Sequence, residues 1–172
     1  DRNRVSGAEW RAIFDHPLPG RSKLMANHLR RQIRERVATD LTGLSTTGSN
    51  VFQTRIFNLE KSKLPCLLIY TEDESVDIYS MASPRIVGRD LSLIVEGYAS
   101  AKANVDNTLD QIGKEVETAM AGDIGINSLA MDSYLTDVSI SYSGEGSKPT
   151  GTIRMTYLVQ YRNLENAPDS SA

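Results

Sequence analysis

A regular beat of apolar residues begins at Met25. Met25, Leu29, Ile33, Val37 and Leu41 recur every fourth residue, the spacing of one stripe along a helix. Gly43 is a suitable stop, and Thr46–Asn50 reads as a loop. Val51 to Phe57 reads as a strand. Cys66 to Tyr70 is an unbroken apolar run of strand length, which suits a central strand covered on both faces. Thr71 to Ser75 is acidic and reads as a loop, followed by a short strand from Val76 to Met81. Arg89 to Ser100 alternates. Leu91, Leu93, Val95, Gly97 and Ala99 face one way, and Asp90, Ser92, Ile94, Glu96 and Tyr98 the other.

A second helical stripe (Val105, Leu109, Ile112, Val116, Met120) predicts a helix over about 104–121, with Asn104 as N-cap and Gly122 after its end. Leu135 to Tyr142 and Gly151 to Tyr161 each alternate. In the second, Ile153, Met155, Tyr157, Val159 and Tyr161 point inward. The Gly144–Pro149 turn between them predicts an antiparallel hairpin.

The order helix, strands, helix, hairpin places the chain in the α+β class: a single two-layer domain, a mixed but mostly antiparallel sheet, and two amphipathic helices packed on one face. The other sheet face must be solvated or buried by a partner. Residues 25–163 form this domain, and 164–172 read as a polar C-terminal tail. Residues 1–24 have no sustained period, and Pro17-Leu18-Pro19-Gly20 breaks any helix. They read either as a leader before a start at Met25 or as an arm that clasps a neighbour through Trp10, Ile13 and Phe14.

A length of 172 residues suits one domain with a real core. The net charge of −3 conceals an asymmetry. Residues 1–40 carry nine Lys or Arg against five Asp or Glu, and the rest carry ten against seventeen. A basic start and an acidic remainder suit head-to-tail stacking or the bridging of unlike partners, and also fit ordinary surface variation. A single cysteine, Cys66, excludes a disulfide framework within the chain. No apolar run approaches the length of a membrane helix, and the expected setting is the cytoplasm or a particle assembled from it.

Candidate chemistry is thin, and no enzymatic activity is expected. Cys66 sits in an apolar strand, where burial lowers thiol reactivity. His16 and His28 have no ligand spacing around them. Gly144-Glu145-Gly146-Ser147-Lys148 lacks the helix that must follow a phosphate-binding loop. Glu72, Asp73, Glu74 and Asp77 are hard oxygen ligands at a density that suits weak Mg²⁺ or Ca²⁺ binding, without the spacing of a Ca²⁺ loop. The plainer reading is a solvated loop, and a third is an intersubunit salt-bridge patch facing an arginine cluster such as Arg30, Arg31 and Arg34. Arg30, Arg31, Arg34 and Arg36 are interrupted by Glu35 and Asp40 in an acidic chain, which allows loose, non-specific contact with passing DNA and argues against sequence reading.

Four segments then fall in a suggestive order. Leu64-Pro65-Cys66-Leu67-Leu68-Ile69-Tyr70-Thr71-Glu72-Asp73-Glu74 resembles the LPA-hydrophobic-Tyr-acidic strand of phage minor tail protein U, the tail terminator of long-tailed bacteriophages. Arg89-Asp90-Leu91-Ser92-Leu93-Ile94-Val95-Glu96-Gly97-Tyr98 is similar to that family's long middle strand. Leu109 through Met120 resembles its second helix, and Ile153 through Tyr161 its closing strand. The resemblance spans residues 25–162 as a collinear series and leaves 1–24 outside. It implies a structural virion subunit that forms a hexameric ring at the head-proximal end of the tail. Such a ring caps the tail tube, stops its polymerisation and meets head-completion proteins. No cofactor is implied, though Mg²⁺ is an ion that assembly could use, and no membrane is involved. A cyclic ring needs two different matching patches per subunit. The expected pair is Glu72, Asp73 and Glu74 on one side and Arg30, Arg34 and Arg89 on the other. Two rival readings are another head–tail joining or tail-completion protein on a related scaffold, and a small hydrolase or ligand-binding domain with a deep polar pocket.

Overall fold

Leu29, Ile33, Val37 and Leu41 all turn to the core, and they hold helix α1 (Leu29–Asp40) against the sheet. The computed structural model describes residues 26–55, 61–100, 104–143 and 150–172. Met25, Trp10, Ile13 and Phe14, and with them the arm or leader expected over 1–24, lie outside the described residues. Helix α1 starts later than the apolar beat suggests. His28 is its N-cap, and its Nδ1 accepts the Arg30 backbone N–H at 3.2 Å. Two arginines and no acid occupy the first turn, an arrangement that the helix dipole disfavours and that a neighbouring carboxylate can offset.

The chain then runs through β1 (Val51–Phe52), β2 (Cys66–Ile78), β3 (Ile86–Ser100), α2 (Val105–Gly122), β4 (Asp132–Ser143), β5 (Thr150–Leu164) and β6 (Ala167–Ser171). The strand order is β1-β2-β3-β5-β4, with β6 on β5. β1 lies parallel to β2, and every other pairing is antiparallel. The class is α+β, with a mixed, mostly antiparallel sheet. Both helices pack on one sheet face, where Leu29, Ile33, Leu109, Ile112 and Val116 meet Leu67, Leu93, Val95 and Met155 in one core.

The approach of α2 is close enough to require glycine beneath it. A Cβ at Gly97 of β3 would stand 2.7 Å from Ile112 Cγ2 and 2.9 Å from Ile153 Cγ2. A Cβ at Gly151 of β5 would stand 2.5 Å from Val105 Cγ1. Asn104 takes the N-cap position of α2 in a left-handed conformation, without a side-chain capping bond.

Three expectations are corrected. The acidic stretch 71–75 is not a loop. It belongs to β2, because the 15-residue β3 supplies partners along its length. One extra residue is accommodated as a bulge between Thr71 and Glu74. Since strand side chains alternate, that bulge changes which residue faces the helices: Glu74, not Asp73, pairs with Leu91 on the core side. Next, the polar tail folds back. Ala167–Ser171 pairs with the end of β5, and Gln32 Nε2 donates to the Asp169 carbonyl at 2.8 Å, tying this strand to α1. Finally, the second sheet face is not simply solvated. Cys66, Leu68 and Ile94 lie on it and are buried. Of the strand expected over 51–57, Val51–Phe52 forms, and residues 56–60 lie outside the description.

Candidate assembly surfaces

The structure brings three of the six expected contact residues together inside one subunit. Glu74, whose side chain is 6% exposed, takes Arg89 Nη1 at 2.8 Å and Arg30 Nη1 at 3.4 Å. The Tyr161 hydroxyl donates to its second oxygen, and Arg89 Nε donates to Asn163 Oδ1 at 2.7 Å. This cluster lies beside the start of α1 and answers Arg30, while Arg31 pairs with Glu35 one turn on at 2.6 Å. The bulge in β2 is the local cause, because it aims Glu74 inward. Arg30, Arg89 and Glu74, expected on facing sides of an intersubunit contact, are paired within one subunit. One carboxylate against two guanidinium groups leaves one positive charge in excess.

Glu72 points to the other face. There Arg154 Nη2 donates to it at 2.6 Å, and Arg154 Nη1 lies 3.3 Å from Glu96. The Tyr70 and Tyr98 hydroxyls donate to Glu96 at 2.8 and 2.7 Å. Burial first, and then these bonds to a carboxylate, push both phenols well above their ordinary range. The network is a closed set of donors and acceptors rather than a reactive one. Asp73 is exposed. Arg34 keeps its Nε buried and without a partner among the described residues.

Cys66 and His28, the thiol and the imidazole of the sequence that the structure describes, are buried and engaged respectively. Burial pushes the Cys66 thiol up to about 11, which keeps it protonated at neutral pH. Burial and then the Arg30 charge hold His28 below its ordinary value, and its Nδ1 is engaged as a helix cap. Among the described residues, no three His, Cys, Asp or Glu side chains are placed to share a metal ion, and no helix is long and apolar enough to cross a membrane. The Gly144–Pro149 turn lies outside the description.

Two surfaces that sequence reasoning did not single out stand at opposite margins of the sheet. At one, β1 covers only Leu67 and Leu68 of β2. The far half of β2 and the bend after it expose Val76, Ile78, Tyr79 and Met81, each between 50% and 87% accessible. Val76 pairs with Arg89 and Ile78 with Val87, which puts both on the helix-bearing side. At the other margin, β4 is the edge strand. Val138, Ile140 and Tyr142 pair with Met155, Ile153 and Gly151, also on the helix-bearing side, yet remain 42% to 54% exposed because they extend beyond α2. The Tyr142 hydroxyl reaches Asp106 at the start of α2. The alternation of Val138, Ile140 and Tyr142 was legible. That their strand would be outermost was not, because strand order is a property of long-range pairing.

No protein-family model matches the chain, and no curated protein matches it. Among solved structures, the chain is similar to one in a structure described as the virion of a native gene transfer agent (GTA) particle. Identity is 12%, over 77% of this chain and 95% of that one, with a TM-score of 0.47.

Proposed function

We propose that this chain is a structural virion protein, a tail terminator whose copies close into a ring, hexameric in the family it resembles, at the head-proximal end of a phage tail. The ring caps the tail tube, stops its growth and offers its other surface to head-completion proteins. One observation carries the reading. A single sheet exposes large apolar side chains at both opposite margins, Val76 and Ile78 at one and Val138 and Ile140 at the other. Unlike patches on opposite sides of a subunit are what a closed head-to-tail ring requires. Scattered single apolar residues on a surface need no explanation, whereas contiguous rows mark interaction sites.

The collinear resemblance over residues 25–162 supports the same reading. Capping needs one face that binds the last tube ring and another that rejects further tube subunits, and it calls for no bond-making centre. The particle is assembled in the host cytoplasm. Among the described residues, Arg34 and Asp73 are the expected contact residues that enter no ion pair, and they remain proposed contacts with neighbouring virion parts. The test is imaging of phage particles that lack this protein. Overlong tails support termination. Tails of normal length detached from heads would assign the protein to head joining instead.

A further inference from the structure

Between the C-terminal half of α2 and β4 lies a cleft of about 320 Å³, lined by Met120, Ala121, Ile124, Leu135 and Tyr157. Glu117, Ser133 and Tyr134 complete a lining that is mainly apolar, and one polar group in it is out of place. Tyr157 is 3% exposed, and its hydroxyl is buried without a hydrogen-bond partner among the described residues. Such groups are rare, because leaving one unpaired forfeits the bonds it would make in water. The cleft continues at Glu117 into an open groove floored by Val138, Ile140 and Ile153. An occupant must therefore be apolar, elongated and able to meet one hydroxyl. Of its polar lining, the Ser133 hydroxyl already donates to the Ile124 carbonyl at 2.8 Å.

The opposite margin of the same subunit has the matching form. Beyond Val76 the chain presents Ile78, Tyr79 and Met81 on the end of β2 and the bend that follows, with a main chain whose carbonyls can accept a hydrogen bond. Charge matches as well. Of the four arginines of α1, Arg30, Arg31 and Arg36 are paired within the subunit, which leaves Arg34, while α2 at the cleft carries four acids against one lysine. We infer that the α2–β4 cleft of one copy receives the β2–β3 bend of a second copy, with the buried Tyr157 hydroxyl bonding to the incoming main chain. This deepens the ring reading and rests on it, since it names which two patches meet.

The experiment uses the full chain, with mass followed by analytical ultracentrifugation over a concentration series, alone and with purified tail tubes. Ile140→Arg blocks the cleft side and Met81→Asp the bend side. Both positions are exposed, and circular dichroism checks that each variant folds. Each is expected to weaken self-association by at least about 10-fold. Mixed together, the two variants should form dimers and stop there, because only one kind of junction in the mixture is intact. Tyr157→Phe supplies a readout that a purely structural role would not give: weaker assembly, again about 10-fold, from a monomer at least as stable as the parent.

If the parent assembles and all three variants assemble equally well, the inference is overturned while the ring survives through other surfaces. If the cleft variant loses tube binding but keeps self-association, the occupant is the tube protein and the inference is again overturned. A parent that stays monomeric at every concentration, on tubes as well as off them, overturns the inference and the ring together.

Discussion

The two ends of this sheet handle their neighbours in opposite ways. At the α1 end, Glu74 gathers Arg89, Arg30 and Tyr161 around one buried carboxylate, and Arg89 passes a further bond to Asn163. At the α2 end, Val138 and Ile140 stay half exposed beside the helix, and the Tyr157 hydroxyl lies buried without a partner among the described residues. The first region is self-sufficient: the buried Glu74 carboxylate and the largely buried Arg89 are answered inside the subunit. The second is incomplete as it stands, in apolar area and in hydrogen bonding alike. The difference separates what holds the monomer together from what the monomer leaves for another molecule, and charge alone misleads about which is which.

The largest effect expected from breaking that contrast comes from Glu74→Ala. It strands Arg89, a largely buried cation, and removes the acceptor of Tyr161. Unpairing a buried ion pair costs about 3–5 kcal/mol, so urea unfolding should shift to a much lower midpoint. Replacing Glu74 with no loss of stability would show that the cluster is not the structural anchor described above. Next in size is Gly97→Ala, on the floor of the core. Its added methyl meets Ile112 and Ile153 at under 3 Å, and overpacking of this kind costs about 1–3 kcal/mol. The expected signature is a lower melting temperature, with loosening concentrated in α2 by hydrogen exchange.

Helix spacing and strand alternation carried most of the fold. The stripes of α1 and α2, the inward row from Ile153 to Tyr161 and the alternation around Leu93 all reflect local periodicity, which is visible residue by residue. What was not legible depended on pairing between distant segments. The acidic run after Tyr70 has the composition of a loop, yet β3 extends it as a strand and a bulge turns Glu74 inward. Nothing within residues 71–75 encodes that, because it is set by the length and register of residues 86–100. For the same reason Glu74, Arg30 and Arg89 looked like halves of an intersubunit bridge. Ala167–Ser171 reads as polar tail because its pairing surface, the end of β5, is remote from its own composition. The open row on β4 was visible as alternation but not as a margin.

A smaller effect separates the charged end by pH. His28 caps α1 only when Nδ1 is free to accept, and burial and the Arg30 charge hold its affinity for a proton below the ordinary value near 6.5. The unfolded chain therefore binds the proton more readily than the folded one, and stability rises with pH across this range. The cap is fully present above about pH 6.5 and fades as pH falls through the lower folded value. An N-cap contributes about 1 kcal/mol or less, and the partial exposure of this ring screens the effect further. Comparing urea midpoints at pH 7.5 and 5.5, the parent should lose more stability than His28→Asn, whose side chain caps without titrating. Equal losses would remove His28 from the account.

The smallest expected change is the most informative about the open end. Ile140→Thr keeps a β-branched residue in the strand and removes apolar surface that water already reaches in the monomer. Its effect on monomer stability should stay within about 0.5 kcal/mol, far below that of Glu74→Ala. A larger loss would mean that Ile140 belongs to the core and that the β4 margin is closed within the subunit. With stability unchanged, the apolar row on β4 contributes little to holding this chain folded, and its presence on an edge strand, where such residues invite unwanted pairing, has to be explained by something outside the subunit.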